Sequence, residues 1–321
     1  MSTMNIPALT GAYIDTSAFH ADVQYIESLW QRIPINGIDL PIIDIGQGEP
    51  LVFVPILEHL EFVYARQIRA FSQSRRVILY RRQENRTRFV GLAERAAELL
   101  HVLDTLGLEK VDLVGHGDAA MVLFEFGIAH PQRCRSLTII AQAADYQIAP
   151  HPFIWLLHEL FLRLPVEHFL PAWFLRRLVV NYIVAQRPPS PPDHHPSVGA
   201  GADVEEGRGR LRRPPSPQLP RQLIDEQFRK IALWPFVYKF SVLPIIHSFD
   251  VRQQLERLTM PILLINRADD ALSPEAKTRW LAQHLPNCTG YHVVTGGERF
   301  FMYAQAEQVN SLMAAFLEGK S

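Results

Sequence analysis

Cysteine is almost missing from this chain: Cys134 and Cys288 are the two present. Their spacing fits neither a metal site nor a redox pair, and both are expected as buried free thiols. An excess of charge of one sign is missing as well. With 32 basic and 33 acidic residues the formal net charge is −1, so no overall field would gather nucleic acid or an anionic membrane. No run of 18 apolar residues occurs, which argues against an integral membrane span. The opening Met1-Ser-Thr-Met-Asn-Ile-Pro has no basic stretch leading into an apolar one. No secretory signal is read there, and a cytoplasmic protein is expected. No cofactor motif or metal-ligand spacing is found.

What is present is core material. Apolar residues make up 48% of the 321, enough for a large α/β domain carrying an insertion. Residues 1–32 show no strong pattern and are expected on the surface as an N-terminal extension. Strands are then predicted at residues 33–35 and 40–45, joined through Asn36-Gly37, a strong hairpin signal. Gly46-Gln-Gly-Glu-Pro marks a turn before Leu51-Val-Phe-Val, an unbroken apolar run suited to a strand buried on both faces. Val77-Ile-Leu-Tyr repeats that pattern after a helical segment near residues 62–72. The stripe Leu92, Ala96, Leu99, Leu100, Leu103 and Leu106 predicts an amphipathic helix. Further strands are predicted at 111–114, 137–140, 262–265 and 291–294, with helices at 119–129, 275–285 and 301–317. This alternation predicts a mostly parallel sheet with helices on both faces.

Residues 145–259 break the rhythm. The stretch 152–185 reads as helical and is heavy in Phe, Trp and Leu, with Arg163, Arg176 and Arg177 interspersed. It is expected to pack its apolar side over the sheet; lying in a membrane interface is the alternative. Within 187–220, Arg187-Pro-Pro-Ser-Pro-Pro, Gly207-Arg-Gly-Arg and Arg212-Arg-Pro-Pro-Ser-Pro give a composition that cannot offset its own ordering entropy, and a disordered loop is expected. Its prolines could engage a proline-recognising groove, and its paired histidines, His194 and His195, are read as loop residues rather than metal ligands.

Four stretches, in this order and spacing, carry a resemblance. They are Leu106-Gly-Leu-Glu-Lys-Val-Asp-Leu-Val-Gly-His-Gly-Asp-Ala-Ala, Ala129-His-Pro-Gln-Arg-Cys-Arg-Ser-Leu-Thr-Ile-Ile, Met260-Pro-Ile-Leu-Leu-Ile-Asn-Arg-Ala-Asp-Asp-Ala-Leu-Ser-Pro and Gly296-Gly-Glu-Arg-Phe-Phe-Met-Tyr. Together they resemble the α/β-hydrolase fold family. The match spans a core of residues 33–144 and 260–321, with 145–259 standing where that family inserts a helical cap.

The resemblance also shows what has changed. The family's Gly-x-Ser-x-Gly nucleophile elbow falls on residues 115–119, placing Gly117 at the nucleophile and Ala119 at the last small position. Glycine has no atom with which to attack. The family acid maps onto Asp270, which is retained, with Asp269 as an ordinary turn residue. The histidine base maps onto Arg299, which stays protonated and cannot take a proton, but can pair with Asp270. The oxyanion loop reads Pro55-Ile56-Leu57-Glu58-His59 where His-Gly is expected, and the glycine-rich turn reads Arg81-Arg-Gln-Glu-Asn-Arg-Thr-Arg, taken as a solvated surface turn.

These departures point to a hydrolase-like protein without a Ser-His-Asp triad, binding a small apolar ligand beneath the cap or a protein partner. On this reading Gly117 enlarges the floor of the pocket. Two alternatives stay open. One is a noncovalent lyase- or isomerase-like site using Glu58, His59, His116 or Asp118. The other is residual ester or C–C hydrolysis. The structural readings beside them are a packed His116, an Asp118 serving the start of its helix, and a packed His292.

Overall fold

Short aliphatic runs supply the sheet, and their lack of alternation places the sheet centre between two layers of helices. The computed structural model describes residues 13–35, 37–146, 152–184, 217–247, 249–295 and 298–319. Its strands are β1 (Gln31–Ile35), β2 (Ile38–Ile45), β3 (Pro50–Phe53), β4 (Arg76–Tyr80), β5 (Val111–His116), β6 (Cys134–Ile140), β7 (Ile262–Arg267) and β8 (Cys288–Val294). They form one sheet in the order β1-β2-β4-β3-β5-β6-β7-β8. The β1–β2 and β2–β4 pairings are antiparallel, and every later pairing is parallel. Ile35 pairs with Ile38 across the expected tight turn, where Gly37 has φ +76°. Every residue of β5 and of β7 is buried, including the polar Asp112, His116, Asn266 and Arg267.

Helix α1 (Thr16–Leu29) corrects the expectation for residues 1–32. Asp15 caps it, accepting from the Ala18 N–H at 2.9 Å. Phe19, fully buried, meets the rings of Phe62 and Tyr303 edge-on at 5.1 and 5.8 Å. The buried Asp22 accepts from Arg66 Nε and from the Tyr303 hydroxyl, each at 2.9 Å. The positions Phe19, Val23 and Ile26 keep a helical spacing that an unpatterned reading overlooks.

Next come α2 (Ala65–Phe71), α3 (Leu92–Thr105) and α4 (Asp118–Ala129). Helix α4 packs between α3 and β5 and is apolar nearly all round, hence almost wholly buried. Between β6 and β7 lie α5 (Pro152–Arg163), α6 (Ala172–Val184) and α7 (Arg221–Lys230), then the short α8 (Trp234–Val237) and α9 (Leu243–Ile246). The helical stretch expected over 152–185 is a pair of helices, parted around Pro165 because proline is disfavoured inside a helix. This pair buries Phe161, Leu175 and Val180 and leaves Trp155, Phe169 and Trp173 exposed. Among the described residues no helix is long and apolar enough to cross a membrane.

Most of the stretch expected to be disordered, 187–216, lies outside the described residues, as do His194 and His195 within it. Residues 217–220 depart from that expectation. Gln218 pairs with Tyr13, Leu219 is buried, and the Leu219 N–H donates to Glu298 Oε1 at 2.9 Å. After β7 come α10 (Glu275–His284), α11 (Phe301–Ala304) and α12 (Ala306–Glu318), the last two separated by a turn at Gln305 within the single helix expected there. Cys134 is buried, whereas Cys288 on the edge strand is only half-buried, against expectation.

Because α1 closes the aromatic cluster around Tyr303, Phe19→Ala is expected to cost about 3–5 kcal/mol of stability. Urea denaturation of the variant measures this; a loss below about 1 kcal/mol would be a surface-like effect and would detach α1 from the core.

Candidate functional site

The site forms where the C-terminal ends of β5, β6 and β7 meet the start of α4. Gly115 is dictated by packing: a Cβ there would fall 2.8 Å from the Ala120 backbone nitrogen, since α4 turns straight back across β5. Gly117 then takes φ +60° and ψ −121°, a conformation that favours glycine. Its N–H donates to the Ile140 carbonyl at 2.9 Å and its carbonyl accepts from Ala120 at 3.0 Å, so the elbow is intact as backbone.

Arg299 occupies the ground beside it. A Cβ built on Gly117 would have Arg299 Nη2, Nε and Cζ as its three nearest neighbours, at 3.3, 3.8 and 4.0 Å. The guanidinium therefore stands against the place a nucleophile's side chain would take. This corrects the expectation that Gly117 enlarges a pocket floor: a cation borders that space.

Arg299 is held from the far side. Nη1 donates to both oxygens of Asp270, at 3.0 and 3.1 Å, and Nη2 donates to the Ala141 carbonyl at 2.9 Å. Side-chain exposure is 8% for Arg299 and 1% for Asp270, so the pair is shielded from solvent. Asp270 Oδ1 also accepts from the backbone N–H groups of Leu272 and Ser273 at 2.8 and 2.9 Å. Ala141, at the end of β6, has φ +55°, and its carbonyl also receives the Ser273 hydroxyl at 2.9 Å.

His116 has its Nε2 2.8 Å from the Arg299 carbonyl, which can only accept, so that nitrogen carries the proton. Burial and the neighbouring Arg299 charge pull its pKa down to about 4. Its backbone N–H donates to the Tyr64 hydroxyl at 3.1 Å, and that hydroxyl donates to the Val54 carbonyl at 3.0 Å. Asp118 sits at the first position of α4, with Oδ1 3.1 Å from the Ala119 N–H and Oδ2 accepting from Arg82 Nη1 at 2.7 Å. Glu58 and His59 face each other at 3.8 Å in a partly exposed loop, with His59 at φ +69°. Of the four candidates for noncovalent chemistry, Glu58 and His59 thus face each other, while His116 and Asp118 have separate partners. His292 is exposed on β8, not packed as expected.

Sequence reasoning missed two features. The turn at 81–88 is not a wholly solvated one. Arg82 is buried between Glu84 at 2.6 Å and Asp118, Arg95 bridges Glu84 and Glu98, and Arg81 binds the buried Glu61 at 2.7 Å. The Glu61 carboxyl is pushed up to about 7 by burial, against the opposing pull of Arg81. The second is Glu298, buried beside Arg299 and raised to about 7 by burial. A polar residue next to Arg299 was visible, but its burial depends on Leu219, far away in sequence. Gly296 and Gly297, before this stretch, lie outside the described residues.

With this geometry in place, the similarities to known proteins fall on one class. The chain has the α/β-hydrolase fold. It is 25% identical over 264 residues to a Caulobacter sp. (strain K31) protein named as the carbamate hydrolase RutD, spanning 80% of this chain and 86% of that one. A RutD of Caulobacter vibrioides is 24% identical over 293 residues, 89% and 93% of the two chains. Among solved structures, a thermophilic esterase of Thermogutta terrifontis superposes with a TM-score of 0.66 at 17% identity, covering 91% of this chain and 98% of the esterase. The enol-lactonase of Burkholderia xenovorans LB400 gives 0.65 at 16% identity, covering 90% and 100%. No protein-family profile matches the chain.

Two outcomes follow from the pair. Asp270→Ala leaves a buried guanidinium without its carboxylate and is expected to cost about 3–5 kcal/mol in chemical denaturation; a loss below about 1 kcal/mol would show a contact that contributes little. His116 is expected to remain neutral from pH 8 down to about 5 and to titrate near 4, read from its ring resonances by NMR. Its folded pKa lies below the unfolded value of 6.5, so the unfolded state binds the extra proton first. The stability linked to its neutral form is complete above 6.5 and is lost as pH falls toward 4.

Proposed function

We propose that this chain is a non-hydrolytic member of the α/β-hydrolase fold family that binds a small molecule at the former reaction centre. The observation that carries this reading is the Arg299 guanidinium 3.3 Å from the Cβ position of Gly117. Acyl transfer in this fold needs an attacking atom, a base to take its proton, and donors for the oxyanion. Gly117 supplies no attacking atom. Arg299 supplies no base, and it engages the carboxylate that would orient one. In the loop after β3, the Val54 N–H is taken by the Val114 carbonyl and Pro55 has no N–H to give.

Noncovalent catalysis by the neighbouring groups has less support. His116 is neutral and donates to a carbonyl, and Asp118 is paired with Arg82, so neither is free as an acid–base group, and Glu58 facing His59 is the carboxylate–imidazole pair left among the four candidates. The relatives' name makes carbamates the substrates to assay beside esters.

The wild-type protein is expected to turn over neither p-nitrophenyl esters nor aryl carbamates above the uncatalysed rate, and a serine-directed phosphonate is expected to leave it unlabelled. Gly117→Ser alone is expected to stay inactive, because a serine without a base is a poor nucleophile. Gly117→Ser with Arg299→His is expected to recover a trace, held down by the altered oxyanion loop, where one lost donor costs about 10²–10³ in rate. Burst and steady-state kinetics on the three proteins decide the matter. Wild-type turnover that persists through stringent purification and is lost in His116→Ala or Asp118→Asn would overturn the proposal in favour of a rearranged catalytic site.

A further inference from the structure

We propose that α5 and α6 form a membrane-contacting surface whose ligand is the interface of an anionic phospholipid bilayer. Among the described residues thirteen large apolar side chains are exposed, and nine of them lie between Trp155 and Leu178. Exposed apolar residues scattered singly need no explanation, but such a concentration marks a contact surface. Each helix is two-sided. On α5 the positions Leu156, Leu160, Arg163 and Leu164 share the outward side, while His158 and the buried Phe161 meet the Tyr238 ring edge-on at 6.1 and 5.8 Å. On α6 Trp173, Phe174, Arg177 and Leu178 share the outward side, while Leu175 and Val180 are buried and the helix packs on α8. Between the helices, the Lys239 ammonium donates to the Leu164 carbonyl and to Glu167 Oε2, at 2.7 and 2.6 Å. Residues 234–239 therefore support both helices and the turn that joins them, and the outward sides point away from that support. Phe169, in the turn, is 81% exposed.

The chemistry of this surface selects its occupant. Tryptophan and phenylalanine among leucines suit the boundary between headgroups and acyl chains, where a ring can be apolar on its body and wet at its edge. The charges complement anionic lipid. Residues 152–184 carry Arg163, Arg176 and Arg177 against the acids Glu159 and Glu167. Both acids are engaged: Glu159 by Arg163 at 2.8 Å and His247 at 2.7 Å, and the buried Glu167 by Lys239. Arg176 and Arg177 are left to meet phosphate, and a long arginine stem can lie over apolar surface while its head reaches the headgroups. A second copy docked through the same face would bring these arginines against a surface whose two carboxylates are already taken. With a net charge of −1 over the whole chain, the attraction is local to this face and open to screening by salt.

The test is flotation of the full chain with vesicles of phosphatidylcholine and phosphatidylglycerol in equal parts, beside vesicles of phosphatidylcholine alone. The protein is expected to float with the anionic vesicles, to bind them about tenfold more tightly than the neutral ones, and to be released by salt. Phe169→Ser with Trp173→Ser is expected to weaken binding by about tenfold or more. Arg176→Glu with Arg177→Glu is expected to abolish the preference for anionic vesicles. A cooperative melt verifies that each variant is folded. Trp173→Phe gives a second reading that keeps an aromatic ring in place: it is expected to float as the wild type does while losing much of the fluorescence quenching by spin-labelled lipid. If the paired serine variant does not fold, this quenching decides. No flotation with anionic vesicles, equal binding to neutral ones, full binding by the folded serine variant, or unchanged quenching in Trp173→Phe each overturns the proposal. So does a self-associated chain, seen by light scattering, that Trp173→Ser dissociates and that vesicles leave in solution; that result assigns the face to a second copy.

Discussion

One buried ion pair organises the candidate site at the strand ends of this fold. Arg299 comes from the segment after β8 and Asp270 from the turn after β7, and both converge on Ala141 at the end of β6. A lone guanidinium at this depth would be untenable, and so would a lone carboxylate. Each makes the other admissible, and the backbone donors of Leu272 and Ser273 complete the accounting of lone pairs. The conformation of Gly117, the tautomer of His116 and the strained Ala141 carbonyl all adjoin this contact. A histidine in place of Arg299 would be shorter and titratable, and would leave the space above Gly117 open.

A second charge cluster stands on the other side of the elbow. Arg82, Glu84, Arg95 and Glu98 link the segment after β4 to α3, and Arg82 reaches Asp118 at the start of α4. The first residue of α4 is thus tied to α3 by side chains as well as by packing. The helix that carries the elbow is held from both flanks, and the elbow keeps its backbone shape with glycine at its tip.

The sheet was legible in the sequence because its strands are buried on both faces and announce themselves as unbroken runs such as Leu51-Val-Phe-Val and Val77-Ile-Leu-Tyr. The elbow was legible because Gly115 answers a local steric demand. Features created by distant partners were not. Arg82 reads as one more solvated arginine until Glu84 and Asp118 are seen around it. The role of α1 depends on Phe62 and Tyr303, and that of Leu219 on Glu298. Even where Gly117 and Arg299 could be placed by analogy, residue identity gave no direction for the guanidinium, so an emptied floor was expected and a cation stands there.

Tyr13 and Gln218 form a bridge, with the Ile14 N–H bonded to the Gln218 carbonyl at 2.8 Å. One residue further on, Leu219 is moored to Glu298, the sequence neighbour of Arg299. The chain entering α1 and the chain entering α7 are therefore lashed together within two peptide links of the arginine. The molecule carries, in effect, a rigging line from these two segments to the arginine beside its elbow.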